Sequence, residues 1–183
     1  MVIAPDATLA DVAAQVSEAL QAAGITATLS GGAAVSLYTQ NEYQSKDLDF
    51  VTAAMLDDLK PVMTELGFAH TGNRRLSVFE HTGIEWYVEF VAAPVTFGDT
   101  TVRHEDCGRL NLPLGQLCVV TPTQCVMDRM AAVIAWGDEQ SRDQAILVAR
   151  NNPIDWAALN QWFLNEGQTE DEYRQFRVRV DAE

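Results

Sequence analysis

Apolar residues recur at two different periods along the first third of the chain, and each change of period marks an element. Leu9, Val12, Ala13, Val16, Ala19, Leu20 and Ala23 follow the i, i+3, i+4 spacing of a helix face. Thr8 with Asp11 three residues on forms a capping box at the start, and Gly24 supplies a stop. Residues 25–29 are a short β-type run that leads into Ser30-Gly31-Gly32. Residues 33–40 then carry helix formers, with apolar Val35, Leu37 and Tyr38. Asp47-Leu48-Asp49-Phe50-Val51 alternates with period two. Leu48 and Phe50 therefore turn to one face of a strand, and Asp47 and Asp49 to the other.

Further on, the same reading predicts a helix over 54–66 that stops at Gly67. Pro61 requires that helix to start near Asp57 or Asp58, or to bend. Residues 68–70 and 76–81 read as strands, joined by a loop (71–75) with Arg74 and Arg75. His81-Thr82-Gly83 looks like a hairpin turn into a strand over 84–91. Ile84, Trp86, Val88 and Phe90 would share one face of it, and Glu85, Tyr87 and Glu89 the other.

Residues 92–114 read as loop, broken by Gly98-Asp99, Gly108 and Pro113. A last strand follows over 116–120, and Thr121-Pro122 opens a helix with Met127, Met130, Ala131, Ile134 and Ala135 inward. Three more helices are predicted over 138–149, 155–165 and 169–180, the second with Trp156, Leu159, Trp162 and Phe163 inward. The pattern as a whole predicts an α/β (α+β) fold. A mixed sheet of about five strands with flanking helices occupies residues 1–120, and a helical C-terminal extension packs on it over residues 121–183.

Composition narrows the classes. A chain of 183 residues with 48% hydrophobic and 21% charged content can bury a core as one domain. No apolar run reaches the ~20 residues of a membrane helix, and the N-terminus has no basic-then-apolar leader, so a soluble, cytoplasmic protein is expected. A net charge of −14 argues against broad duplex binding, because phosphate neutralisation dominates nucleic-acid affinity. An RNA end could still be met through a local patch. Cys107, Cys118 and Cys125 form no disulfide framework, and with His104 they match no common zinc spacing.

The chemistry concentrates between residues 30 and 51. A strand that ends in two glycines and opens a helix makes a tight turn, and the first amides of that helix suit phosphate oxygens. Two carboxylates at i and i+2 of the next strand are hard oxygen donors suited to Mg²⁺. Gly31-Gly32, followed after fourteen residues by Asp47-Leu48-Asp49, resembles the signature of the DNA polymerase β-type nucleotidyltransferases. Within them it is most similar to a small bacterial branch that includes abortive-infection toxins and minimal nucleotidyltransferases. The resemblance covers the first half of the chain well and the second half loosely.

That resemblance implies transfer of a nucleoside monophosphate from a nucleoside triphosphate to an acceptor hydroxyl, as in toxin-antitoxin or abortive-infection systems. It implies Mg²⁺ or Mn²⁺ held by Asp47, Asp49 and Glu89. Glu89 stands where the family more often has Asp, with Glu85 as its alternative. Ser30, Gly31 and Gly32 would contact the phosphates. Asp128-Arg129-Met130 and Arg142-Asp143-Gln144 resemble family elements that carry cations, so Arg129 and Arg142 join Lys46, Arg74 and Arg75 as candidate nucleotide-binding residues. An RNA end, a protein or a small molecule would be the acceptor, and a cognate antitoxin a partner. The rival reading is a catalytically silent member of the fold that acts as a binding or regulatory partner.

Overall fold

The computed structural model describes residues 3–71 and 77–182. In chain order the elements are α1 (Leu9–Ala22), β1 (Ala27–Ser30), α2 (Gly31–Tyr38), β2 (Asp47–Thr52), α3 (Leu56–Glu65), β3 (Ala69–His70) and β4 (Ser77–Glu80). They continue with β5 (Tyr87–Ala92), β6 (Val95–Phe97), β7 (Thr100–Val102), a 3₁₀ turn (His104–Asp106), β8 (Gly108–Leu112) and β9 (Gly115–Val119). Helices α4 (Pro122–Trp136), α5 (Glu139–Asn151), α6 (Trp156–Asn165) and α7 (Glu170–Asp181) close the chain.

The protein is an α/β fold on a seven-stranded mixed sheet in the order β3-β4-β5-β2-β1-β9-β8, with a separate two-stranded ribbon, β6-β7. At its centre β1 runs antiparallel to β2, while β2 is parallel to β5 and β1 parallel to β9. The expected count of about five strands is corrected to seven among the described residues. In residues 92–114 the expected loop is replaced by β8, which joins that sheet, and by β6 and β7, which form the separate ribbon. Gly108-Arg109-Leu110-Asn111-Leu112 alternates across the sheet and pairs with β9 through the short Pro113-Leu114 turn. Val95 and Phe97 are buried with Thr96 exposed between them, an alternation too short to stand out in sequence.

Other boundaries shift by a few residues. α3 starts at Leu56 and runs straight through Pro61, with the Asp58 carboxylate accepting the Met55 amide at its start. β5 begins at Tyr87 rather than at residue 84, and Ala135 on α4 is exposed rather than inward. The Thr8–Asp11 capping box forms as expected, the Thr8 hydroxyl accepting the Asp11 amide at 3.2 Å.

Leu29, Leu48, Phe50, Phe79 and Val88 are almost wholly buried, and Phe90 packs on both Phe50 and Phe79 with ring centroids 6.1 and 5.6 Å apart. Tyr38 at the end of α2 links the sheet's end to the segment after α5. Tyr38 donates its hydroxyl to the Val120 carbonyl at 2.6 Å, and the Asn152 amide donates to the Tyr38 carbonyl at 2.8 Å. Trp162 Nε1 donates to the Phe97 carbonyl, which holds the ribbon against α6.

Burial raises the Tyr38 phenol well above its ordinary pKa, so it stays a neutral donor at any physiological pH. Removing the hydroxyl leaves a carbonyl without its donor, which costs about 1–3 kcal/mol. Tyr38→Phe is therefore expected to lower the urea midpoint with an unchanged slope. An unchanged midpoint would show that this link carries no stability.

Candidate functional site

The alternation of β2 and β5 builds the site. Asp49 is in register with Glu89 on parallel β5 and with Ser30 on antiparallel β1, while Asp47 is in register with Tyr87. Paired residues on neighbouring strands project from the same face, with backbones about 4.8 Å apart. Asp47, Asp49 and Glu89 thus rise together from one face, each partly exposed, while Leu48, Phe50, Val88 and Phe90 pack beneath. As the alternation predicts, Asp47 and Asp49 share one face of β2, opposite Leu48 and Phe50. Glu85 precedes the strand and lines a different cavity together with Lys46 and Trp86, so neither Glu85 nor Lys46 joins the group.

The two glycines serve the carboxylates. Gly31 has φ +65°, a left-handed conformation, and a Cβ there would run into the Asp49 carboxylate. A Cβ on Gly32 would stand 2.9 Å from the Ser45 hydroxyl. Ser45 is buried, donates its hydroxyl to Asp47 and donates its amide to Ser36 Oγ, and Ser36 in turn donates to the Gly32 carbonyl. This chain of bonds fixes Asp47 relative to α2. Ser30 is the N-cap of α2 yet makes no capping hydrogen bond, and Ser30, Gly31, Asp49 and Glu89 line one cavity of about 300 Å³.

Asp128 and Arg129, on α4, complete the wall of that cavity. Arg129 donates through Nε and Nη2 to Asp128 Oδ2 at 3.1 and 2.6 Å, and through Nη1 to Gln144 at 3.4 Å. Arg142 is elsewhere: it binds Glu139 and lines a groove with Phe163, Phe176 and Arg179. Arg74 and Arg75 lie outside the described residues. Sequence reasoning read Asp128 only as part of a motif around Arg129 and assigned Ser45 no role. Its place two residues before Asp47 was the available signal.

The electrostatics are unbalanced. Burial, followed by repulsion from Asp47 and Glu89, pushes the Asp49 carboxyl up to about 7, with Arg129 opposing and Asp128 reinforcing the shift. Among the described residues no three His, Cys, Asp or Glu side chains stand close enough to hold a metal ion as they are placed. The hard-donor chemistry fits a divalent cation, and an excess of negative charge is what such an ion relieves. The side chains as they stand have not closed on a common point.

A second polar cluster lies along the sheet. His104 Nδ1 is 2.8 Å from Thr28 Oγ1 and 3.4 Å from Cys118 Sγ, and Arg109 donates to that sulfur at 2.8 Å. Burial, then Arg109, holds the imidazole below its ordinary pKa, and burial pushes the neighbouring Cys107 thiol up to about 11. Cys125 is fully buried on α4, its pKa raised by burial and by Asp128, and among the described residues no three of the four weighed as a zinc set are placed to hold a metal ion. All three cysteines are free.

The chain matches no known protein-family model, and a search of curated proteins finds no significant match. No helix among the described residues is long and apolar enough to cross a membrane.

A carboxyl whose pKa is higher folded than unfolded contributes no penalty below its ordinary value of 3.8. Above that value the folded state ionises less readily, so stability falls as pH rises toward about 7. Asp49→Asn removes this penalty. In chelator its melting point is expected to match wild type near pH 4 and to exceed it at pH 8, by about 2–4 °C for each kcal/mol relieved. A variant that melts below wild type at pH 8 would show that Asp49 is not under repulsion.

Proposed function

We propose that the protein is a metal-dependent nucleotidyltransferase that moves a nucleoside monophosphate from a triphosphate to an acceptor hydroxyl. The observation that carries this reading is the in-register pair Asp49–Glu89, with Asp47 on the same face, beside an uncapped helix N-terminus and the Arg129 guanidinium. The acidic-x-acidic strand after a strand–Gly-Gly–helix turn is the pattern of the polymerase β-type nucleotidyltransferases. A small α/β sheet with a helical C-terminal portion is compatible with it. A role as the toxin of a toxin-antitoxin or abortive-infection system, with a cognate antitoxin as partner, belongs to the same reading.

In that reading the residues divide the work. The first amides of α2 carry partial positive charge and receive phosphate oxygens. Arg129, held by Asp128, sets a fixed positive charge over the same cavity. Asp47, Asp49 and Glu89 would hold Mg²⁺ or Mn²⁺, which would supply charge stabilisation for an in-line displacement. Glu89 accepts the acceptor's hydroxyl proton. The acceptor oxygen bonds to the α-phosphorus as its bond to the pyrophosphate leaving group breaks.

A second reading, a catalytically silent binding or regulatory protein on the same fold, draws on two observations. Asp47 is engaged by Ser45 and Arg129 by Asp128, and among the described residues no three donors are placed to hold a metal.

Calorimetry with each of the four nucleoside triphosphates separates the two. The enzyme reading expects binding that requires Mg²⁺, weakened about 10–100-fold by Arg129→Ala, the loss of one charge-assisted contact of ~1.5–3 kcal/mol. Absence of Mg²⁺-dependent binding of all four at millimolar concentration would favour the silent protein.

A further inference from the structure

A cavity of about 860 Å³ has no part in the site above, yet it is lined by residues on the same face of the sheet. Thr28 precedes Ser30 by two residues on β1, and Val51 follows Asp49 by two on β2, so the alternation that raises the carboxylates also directs Thr28 and Val51 to their side. Thr28 and Val51 are in register with each other. Val51, Pro94 and Val95 line both this cavity and the carboxylate cavity, so the two hollows share a wall. One step of the alternation, about 6.5–7 Å along the strand, separates Val51 from Asp49.

The lining states what fits. It is dominated by small aliphatic and threonyl side chains, with four charged or titratable ones. Arg103 is exposed and spends its charge on Asp106, in an ion pair of 2.9 Å. Asp57 and Asp58 are acidic, and His104 is held toward its neutral form. Such a wall offers little to a polyanion, and the chain's net charge of −14 adds to that. The volume is within the ~300–1,000 Å³ range of small-molecule pockets, which are mostly apolar with a few fixed polar groups. His104 is such a group: buried Thr28 and Cys118 hold its Nδ1, so the ring is fixed at the cavity wall.

The geometry points to this cavity as the acceptor site, taking an uncharged small molecule with an apolar body and one or more hydroxyls. The assignment rests on the nucleotidyl-transfer reading. In the step it serves, the acceptor's O–H crosses the Val51 wall, its oxygen bonds to the α-phosphorus, pyrophosphate departs, and the proton passes to Glu89.

The test uses 2-naphthol, a neutral fluorescent ring with one hydroxyl, and two variants that fill the cavity from exposed positions away from the carboxylates, Ala53→Trp and Thr101→Trp. Naphthol is expected to bind the wild-type chain and to lose at least tenfold in affinity in both variants. Mg²⁺-triphosphate affinity, measured by calorimetry on the same folded samples, should stay within twofold. Naphthol and triphosphate should bind together, as an acceptor and a donor must. Naphthol binding that is absent from wild type or indifferent to both tryptophans overturns the site. Mutually exclusive binding with triphosphate overturns the acceptor role, since the cavity would then hold part of the nucleotide. Displacement of naphthol by a short RNA overturns the small-molecule class. If no triphosphate binds while naphthol obeys the tryptophans, the transfer reading fails and takes the acceptor role with it, leaving a ligand cavity.

Discussion

The crowding of negative charge around Asp49 is the constraint on which the rest of this protein's site depends. β2 carries Asp47 and Asp49 on one face, β5 brings Glu89 into register, and α4 adds Asp128. Every one of these raises the cost of ionising Asp49 or is held in check by another bond. Gly31 is where the chain yields space, since any side chain there would meet the Asp49 carboxylate. Arg129 is the opposing charge, and its own tie to Asp128 keeps it over the cavity. This crowding is the observation on which the proposed binding of a cation with an anionic ligand rests.

Most of the central architecture was legible in the sequence because it rests on local periodicity. The alternation in Asp47-Leu48-Asp49-Phe50 sets which residues face inward, and β2 shows that division. The N-caps at Thr8, Thr121, Asp155 and Thr169 bond as their residue types suggest. What was not legible lies where strands are three to five residues long. β6, β7 and β8 gain their order from pairing and from contacts such as Trp162 Nε1 to the Phe97 carbonyl, which no local window contains. Pro61 lies inside α3, which starts at Leu56, one residue from the start the proline suggested.

For the site, type and spacing picked out Asp47 and Asp49, the family resemblance added Glu89, and strand pairing brings the three to one face. The cations were harder, because a charge on a helix says nothing about which way the helix turns. Arg129 and Arg142 looked equivalent in sequence; packing of α4 against the ribbon puts one at the cavity and leaves the other on a groove of its own. The large cavity behind Val51 and Val95 depends on β1, β2 and the segment from Ala93 to His104 meeting in space. No stretch of sequence carries that signal.

The central claim is that burial and its acidic neighbours hold Asp49 partly neutral, and that the divalent cation of the proposed function would restore its charge. Carboxyl-carbon NMR of the chain, labelled at its aspartates, measures this directly. In chelator the Asp49 carboxyl should titrate near 7, and with saturating Mg²⁺ it should fall toward the ordinary carboxylate range. An Asp49 that titrates near 4 without metal, or whose titration Mg²⁺ leaves unmoved, would contradict the account.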